Sequence, residues 1–411
     1  MNQLSGRKAT ILSFLSIIGP AWIVMMADVD APSIVTAGES GAAYGYHMIF
    51  ILIILIVPLF FIQEAAGRVA VSTGKGLAEI IREHYSRRMA ILASLPMFLT
   101  DFLSYSAEYA GAAVAMEVFG IAPYISLPLV FFIHALLVFT GSYKRTERIL
   151  LLVSAVLLSS YVVDAFLVGV DLQKLPNVGL NPIQPYADPS FGYMIAANVG
   201  AVIMPWMLFY QAGAVVQKGL KRDHYSFERF ETLFGAIASE VLMISIVIVS
   251  ASIGPVNLLS SKKLAEALVP LAGPYSYILY AIGLGSASFL ALVVISLAST
   301  WGIAEALGWR RRIGDRFVLA RKFYMVYILE TLPAMLVPLI FSNMVQLMVN
   351  LMVVFVFVTI VPAVLLGLIS SNQRIMGKRY LKGYWKLFYW VSVIAVVFTG
   401  LLTAVSALLR L

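Results

Sequence analysis

The sequence predicts an all-α integral membrane protein with eleven transmembrane helices, two of them broken near the middle. The first observation is composition: 61% of the 411 residues are hydrophobic and 12% are charged, whereas soluble domains carry roughly 25% charged residues. The second is a series of eleven apolar stretches, each long enough to cross a bilayer as a helix. The third is a proline inside the first and the sixth stretch.

The apolar stretches follow one another without a long linker, which predicts a single membrane domain over residues 1–411. Two five-helix halves, at about 9–170 and about 191–370, are expected to be inverted repeats because each contains an odd number of spans. An additional C-terminal helix is expected at about 383–409, and the polar stretch 171–190 is expected to be an external loop. The stretches centre near Met25, Leu59, Ser106, Phe131, Ser159, Met204, Met243, Ala291, Leu332, Phe355 and Ala395.

Lysine and arginine predict the orientation, because cytoplasmic loops of membrane proteins are enriched in them. With the N-terminus in the cytoplasm and the C-terminus outside, 24 of the 29 basic residues are cytoplasmic. Arg68 belongs to the second span, and four residues are external: Lys174, Lys262, Lys263 and Arg410. This bias accounts for the net charge of +8 without a nucleic-acid partner. The expected location is the plasma membrane of a prokaryote.

Proline interrupts the first span in the run Asp28-Val29-Asp30-Ala31-Pro32-Ser33 and the sixth in the run Met204-Pro205-Trp206. Proline lacks an amide donor and disfavours helix in the residue before it, so each span should split into two half-helices. Unwound backbone at bilayer depth is tolerated where it is buried in protein or lines a cavity. A matched pair of broken spans predicts a midplane binding site, as in secondary transporters.

The residues around these breaks resemble the Nramp family of divalent-metal transporters. That family's first span reads Gly-Pro, then Asp-Pro-Gly-Asn, then a Gly-Ala-x-Tyr-Gly-Tyr ending, and residues 19–46 align with it without a gap. Residues 72–79, 108–111, 200–205 and 374–377 resemble later family motifs, and the match is strongest over roughly the first 220 residues.

The resemblance implies a LeuT-like fold and proton-linked uptake of a divalent transition metal such as Mn²⁺ or Fe²⁺. It also implies a set of metal ligands: the Asp30 carboxylate, the Ser33 hydroxyl, the Met204 thioether, and the carbonyls of Ala27 and Ala201. The metal would be the transported substrate, and no resident cofactor or obligate protein partner is expected.

The chain departs from the family pattern at several positions. Ser33 replaces the family's asparagine, Trp206 and Gln211 replace its two sixth-span histidines, and Tyr105 replaces an acidic residue of the third span. Imidazole titrates near neutral pH, whereas Trp and Gln do not, so weaker proton coupling is expected. Gln346 and Asn350 are the polar candidates in the tenth span.

Each expected ligand also has a structural interpretation. Asp30 is either an anionic ligand or the N-cap of the following half-helix. Met204 offers a soft sulfur ligand, or it packs in the core. Ser33 is a weak ligand, or its hydroxyl bonds to backbone freed by the break. The position of these residues at the two breaks favours the ligand interpretation for Asp30 and Met204.

Other acidic residues are candidates with less specific signals. Glu108 in the third span could carry a proton, because a carboxyl buried in a membrane protein can exchange between neutral and charged forms. This interpretation is favoured over a hydrogen bond to another helix. Asp28 is either a second carboxylate near the site, which would favour a harder ion, or a half-helix end in a vestibule that Trp206 and Gln211 would also line. Three acidic residues are expected to be solvated near span ends: Asp101, Glu117 and Asp164.

The sequence does not support catalysis, because it lacks paired metal-binding histidines, a phosphate-binding loop and a recognisable nucleophile triad. The favoured interpretation is a divalent-metal carrier that works by alternating access, with metal ion and proton as substrates. Two alternatives within the same fold remain: a symporter of a small organic solute, with a cation stacking on Trp206, and a carrier shifted towards harder ions such as Mg²⁺. A channel would need a pore ring or filter, which two broken helices do not provide.

Overall fold

A computed structural model of the chain describes residues 19–139, 142–169, 189–310, 313, 317–341 and 343–409. Within these ranges the secondary structure is almost entirely α-helical, as the sequence predicts. Nearly all of the predicted external loop at 171–190 lies outside the described residues.

The described part of the chain contains sixteen α-helices, joined by turns and by short 3-10 segments. They are α1 (Pro20–Asp28), α2 (Ala31–Tyr44), α3 (His47–Thr73), α4 (Leu77–His84), α5 (Arg87–Val118), α6 (Pro123–Phe139), α7 (Tyr143–Val168), α8 (Pro189–Val202), α9 (Pro205–Lys218), α10 (Tyr225–Ile253), α11 (Ser261–Ala272), α12 (Pro274–Leu307), α13 (Arg321–Ala334), α14 (Met344–Ser370), α15 (Gln373–Met376) and α16 (Tyr384–Leu409).

Nine helices in the described ranges, with α8 and α9 counted as one, are long and apolar enough to cross a membrane. Helix α6 is a shorter apolar helix, and α1 together with α2 forms a first span in two pieces. Each of the eleven predicted stretches therefore corresponds to helical structure. The number of crossings itself stays a prediction, because length and composition alone identify these helices as spans.

The helices pack closely around α12, which is buried along most of its length and contacts α5, α7 and α9. Helix α8 approaches α14 so closely that a Cβ atom at Gly200 would lie 1.7 Å from the carbonyl oxygen of Met352. Only glycine permits this approach, and it brings the second broken span against α14.

Loops that the positive-inside rule assigns to the cytoplasm lie together at one end of the bundle. The Arg222 guanidinium donates to the carbonyl of Ser72 at 3.1 Å, and Arg379 donates to the carbonyl of Arg222 at 2.6 Å. Arg68 lies within α3 near the same end and forms a buried ion pair with Glu64 at 2.8 Å. Basic residues of two separate loops and of α3 thus lie at one end of the protein.

The short helix α4 is held against the end of α12 by a buried carboxylate. Glu305 Oε2 accepts hydrogen bonds from the amides of Ala78 at 3.0 Å and Glu79 at 3.2 Å, in the first turn of α4. A carboxylate at a helix N-terminus satisfies unpaired amides and complements the helix dipole. Glu305 therefore has a structural role at this end of the bundle.

The prediction that Asp101 and Asp164 are solvated is wrong, since both side chains are fully buried. Helix α5 has 32 residues and Asp101 lies near its middle, facing other helices. Asp164 is covered by α12, whose Ser276 hydroxyl donates a hydrogen bond to the carboxylate. Glu117, which was grouped with them, is exposed as predicted.

Candidate metal site

The first break lies between α1 and α2, where Val29 and Asp30 leave the helical path. Asp30 has extended backbone angles, and its Oδ1 atom accepts a hydrogen bond from the amide of Ser33 at 2.8 Å. Pro32 has no amide hydrogen and occupies the first turn of α2, where none is needed. The Asp-Ala-Pro-Ser sequence therefore ends one half-helix and starts the next.

Asp30 performs the capping role with one oxygen only. Its side chain is fully buried, and Oδ2 has no hydrogen-bond partner. A buried carboxylate oxygen without a partner is costly unless a cation or a proton compensates it. The two interpretations of Asp30 thus concern different oxygens of the same side chain.

The second break lies between α8 and α9, where Ile203 and Met204 leave the helical path. In a continuous helix, residue 205 would donate its amide to the carbonyl of Ala201, but Pro205 has no amide hydrogen. The Ala201 carbonyl instead accepts a hydrogen bond from the Ser33 hydroxyl at 3.2 Å. This contact joins the two breaks across 168 residues of sequence.

Met204 is the N-cap residue of α9, and its side chain is fully buried. The indole Nε1 of Trp206 donates a hydrogen bond to the Met204 sulfur at 3.1 Å. Thioether sulfur is a weak acceptor with two lone pairs, so this bond holds the side chain and leaves one lone pair available. Trp206 therefore orients Met204, a role that the sequence did not indicate.

Glu108 on α5 contacts the first break directly. Its Oε2 atom accepts a hydrogen bond from the amide of Ala31 at 3.1 Å. In a continuous helix this amide would instead donate to the carbonyl of Ala27. Its other oxygen has no partner, and its carboxyl is close enough to that of Asp30 for the two to interact. The structure thus brings the proposed proton carrier beside the proposed metal ligand.

A glycine allows α5 to approach the break. A Cβ atom at Gly111 would lie 2.7 Å from the Cβ of Ala31 and 2.5 Å from the hydroxyl oxygen of Ser288 on α12. Both distances are shorter than real Cβ contacts, so any larger residue would push α5 away. The Gly111 position therefore keeps Glu108 within hydrogen-bonding distance of Ala31.

The three vestibule candidates take different positions. Asp28, the last residue of α1, is 1% exposed with one oxygen unpartnered, and the charge of Glu240 on α10 acts on it. Trp206 contacts Met204, as described above. Gln211 donates to Glu228 Oε1 on α10 at 2.5 Å, so its amide faces α10.

Two further residues, Thr359 and Glu240, belong to this region without having been assigned by sequence. Thr359 on α14 donates its hydroxyl to the carbonyl of Ile203 at 3.1 Å, which satisfies a backbone group freed by the second break. Glu240 has both oxygens buried and unpartnered, but no sequence pattern relates α10 to the first break.

The tenth-span candidates Gln346 and Asn350 bond each other at 2.7 Å, and Asn350 also accepts a hydrogen bond from Tyr193.

Within the described ranges, no group of three or more His, Asp or Glu side chains is arranged to hold a metal ion. The predicted ligand set contains one carboxylate together with a hydroxyl, a thioether and two carbonyls, so it would not form such a group. What the two breaks provide is one anionic oxygen, neutral oxygens and a sulfur, drawn from α1, α2, α8 and the start of α9.

Comparison with known proteins gives a consistent relationship. The Nramp family model, described as natural resistance-associated macrophage protein-like, matches residues 21–406. The divalent metal cation transporter MntH of Staphylococcus haemolyticus is 23% identical over 432 aligned positions, covering 97% of this chain and 94% of that protein. MntH of Deinococcus radiodurans is 24% identical, covering 93% of this chain and 88% of that protein.

Solved structures agree on the fold. The manganese transporter of Eremococcus coleocola superimposes with a TM-score of 0.77 at 18% identity, covering 95% of this chain and 86% of that chain. MhsT, solved in complex with L-phenylalanine, superimposes with a TM-score of 0.64 at 12% identity, covering 94% and 98%. The fold is therefore the LeuT-like fold of multi-pass membrane transporters, and the chain belongs to the Nramp family.

Proposed function

We propose that this protein carries divalent metal cations across the membrane by alternating access, with the ion bound between the two breaks. Membership of the Nramp family supports the proposal, as do relatives that are named divalent metal cation transporters. The proposed ligands are the Asp30 carboxylate, the Met204 thioether, the Ser33 hydroxyl and the carbonyls of Ala27 and Ala201. The metal is the transported substrate, and the proposal needs no resident cofactor.

The observation that carries the proposal is that Ser33 contacts both breaks: its amide donates to Oδ1 of Asp30 at 2.8 Å, and its hydroxyl donates to the carbonyl of Ala201 at 3.2 Å. Ser33 thus links the side chain of Asp30, whose Oδ2 has no hydrogen-bond partner, to a carbonyl of the other span that has lost its helical donor. A cation bound there would interact with both spans at once. Movement of these half-helices relative to the rest of the bundle would then open the site to one side or the other.

The mixed ligand set favours first-row transition metals. Carboxylate, hydroxyl and carbonyl oxygens bind hard cations, Mn²⁺ among them, whereas thioether sulfur adds affinity for softer ones such as Fe²⁺, Co²⁺ and Cd²⁺ over Ca²⁺. The hydrogen bond from Trp206 holds the sulfur in a defined position. Met204 is therefore the proposed selectivity residue, and Asp30 the residue that compensates ion dehydration.

Proton coupling is proposed to run through Asp30 and Glu108. Two neighbouring carboxyls in a buried site do not both ionise easily, so they tend to hold a proton between them. A divalent cation at Asp30 would displace that proton. Because Glu108 also accepts the amide of Ala31, loss or gain of its proton would act on the backbone of the break itself.

A carrier for harder ions such as Mg²⁺ is the second candidate. Asp28 and Glu240 are both buried with unpartnered oxygens close to the first break. Additional carboxylates, acting directly or through water, favour cations that keep much of their hydration. If this candidate is correct, Asp28→Asn should reduce Mg²⁺ uptake more than Mn²⁺ uptake.

The proposed orientation places the N-terminus in the cytoplasm and the C-terminus outside. The clustering of Arg222, Arg379 and Arg68 at one end supports it, because basic residues favour the cytoplasmic side of a plasma membrane. The location proposed is the inner membrane of a prokaryotic cell.

Uptake by the purified protein in proteoliposomes tests this function. A panel of Mn²⁺, Fe²⁺, Co²⁺, Cd²⁺, Mg²⁺ and Ca²⁺ would be measured with and without an inward proton gradient. We expect uptake of transition metals with exclusion of Ca²⁺, and faster uptake with the gradient. Uptake of Mg²⁺ alone would favour the second candidate, and no uptake of any divalent cation would reject both.

A further inference from the structure

A second group of polar side chains is buried between α5, α12 and α13, away from the two breaks. It consists of Asp101 and Tyr105 on α5, Ser299 on α12 and Glu330 on α13, none more than 3% exposed. Asp101 and Tyr105 are four residues apart and therefore lie on one face of α5. None of the four belongs to the proposed metal site.

The four side chains converge on one small region. The Ser299 hydroxyl donates to Glu330 Oε1 at 2.7 Å, and Asp101 and Tyr105 face the same hydroxyl. Glu330 in turn faces both Asp101 and Tyr105. Four of their polar atoms nevertheless form no hydrogen bond: both carboxylate oxygens of Asp101, Oε2 of Glu330 and the hydroxyl of Tyr105.

Positive charge is needed to balance this group. Burial of an unpaired carboxylate in a membrane protein costs several kcal/mol. The ion pairs found among the described residues join Arg68 to Glu64, Lys75 to Glu83 and Lys218 to Glu147, and none includes Asp101 or Glu330. A cation or protons must therefore compensate the two carboxyls.

The donor set fits a cation, because the Tyr105 hydroxyl faces Glu330 and lies in a group with three carboxyl oxygens that have no hydrogen-bond partner. A metal ion can accept all of these oxygens at once. Two anionic and two neutral oxygen donors, without nitrogen or sulfur, suit a hard divalent cation.

We propose that Asp101, Tyr105, Ser299 and Glu330 form a second binding site for a hard divalent cation such as Mg²⁺ or Mn²⁺. Asp101 precedes Glu108 by seven residues on α5, which corresponds to about 10 Å along the helix and nearly the same face. Helix α5 therefore contacts the first break through Glu108 and contributes Asp101 and Tyr105 to the second site, and the two sites share no ligand.

Metal stoichiometry tests this proposal. Equilibrium dialysis of the purified, detergent-solubilised protein against Mn²⁺, and separately against Mg²⁺, gives the number of ions bound per chain. We expect two Mn²⁺ ions in the wild type and one in Asp101→Asn, which retains the shape of the side chain. Asp164→Asn is the matched control, because Asp164 is also buried and bonds a serine, while no carboxyl among the described residues acts on it. This variant should still bind two ions.

Asp30→Asn separates this proposal from the proposed function. Loss of one ion in Asp30→Asn with no change in Asp101→Asn would overturn the second site and retain the first. Loss of one ion in Asp101→Asn with no change in Asp30→Asn would support the second site and overturn the first. If Asp101→Asn does not fold, Ser299→Ala in the Asp30→Asn background serves instead, with an expected several-fold weaker affinity of the remaining ion; unchanged affinity would overturn the site.

Discussion

The hydroxyl of Ser33 donates a hydrogen bond to the carbonyl of Ala201, at 3.2 Å, and thereby joins the two broken spans. Pro205 leaves that carbonyl without a helical donor, and Asp30 caps the half-helix to which Ser33 belongs. Local sequence chemistry at each break thus produces the groups that meet between them. A cation bound at this point would replace the Ser33–Ala201 hydrogen bond with direct coordination from both spans.

Met204→Ala is expected to reduce Cd²⁺ affinity about tenfold or more, which corresponds to about 1.4 kcal/mol, with a smaller loss for Mn²⁺ and little change for Mg²⁺. The reason is that the variant removes only a sulfur ligand, and softer metals depend on sulfur most. Isothermal titration of the purified variant with each metal measures this. Parallel losses for Cd²⁺ and Mg²⁺ would mean that Met204 packs in the core and does not coordinate.

Trp206→Phe is expected to lower Cd²⁺ affinity several-fold, because it removes the indole donor that holds the Met204 sulfur in position while retaining an aromatic ring. A neutral hydrogen bond contributes about 0.5–1.5 kcal/mol, which sets the size of the loss. The same titration in the Met204→Ala background supplies the double-mutant cycle. A loss that persists without Met204 would contradict the role assigned to Trp206.

Glu108→Gln is expected to bind metal with nearly wild-type affinity and to lose the acceleration of uptake by an inward proton gradient. Glutamine keeps a carbonyl oxygen for the amide of Ala31 but cannot exchange a proton. Metal uptake and internal acidification, recorded together in proteoliposomes at several external pH values, give the result. Acidification that persists in the variant would place the proton elsewhere, and none in the wild type would indicate an uncoupled carrier.

Gly200→Ala is expected to destabilise the protein by about 1–3 kcal/mol, the usual cost of overpacking. Its added methyl group would lie 1.7 Å from the carbonyl oxygen of Met352, so α8 and α14 would have to separate. Gly192→Ala on the same helix has no atom within 4 Å of the added group and should be tolerated. Thermal denaturation in detergent compares the two, and equal melting temperatures would contradict the packing described.

The fold and both breaks could be predicted because each depends on a local property of the chain. Apolar stretches long enough to cross a bilayer predict the spans, basic residues predict the clustered end, and Pro32 and Pro205 predict where helices break. The availability of the Ala201 carbonyl also follows from sequence, since proline at 205 removes its donor. The number of crossings and the inverted relation of the two halves stay predictions.

The remaining features depend on packing between distant segments. The contact of Glu108 with Ala31 requires α5 to lie against the first break. Gly111 permits this close approach, but a glycine in the sequence does not by itself predict it. Asp101 was expected to be solvated because its place along α5 depends on where that long helix begins and which helices cover it. The bond between Trp206 and Met204 depends on side-chain rotamers, which no sequence pattern specifies.

The most direct test of the central claim is Mn²⁺ binding and uptake by Asp30→Asn. Asparagine is as good an N-cap as aspartate, so the cap on Ser33 and the break should be preserved while the negative charge is removed. We expect a folded protein with a melting temperature close to the wild type, at least a hundredfold weaker Mn²⁺ binding at the breaks, which is about 2.7 kcal/mol, and no measurable uptake. Wild-type uptake of Mn²⁺ by this variant would contradict the assignment of the metal site.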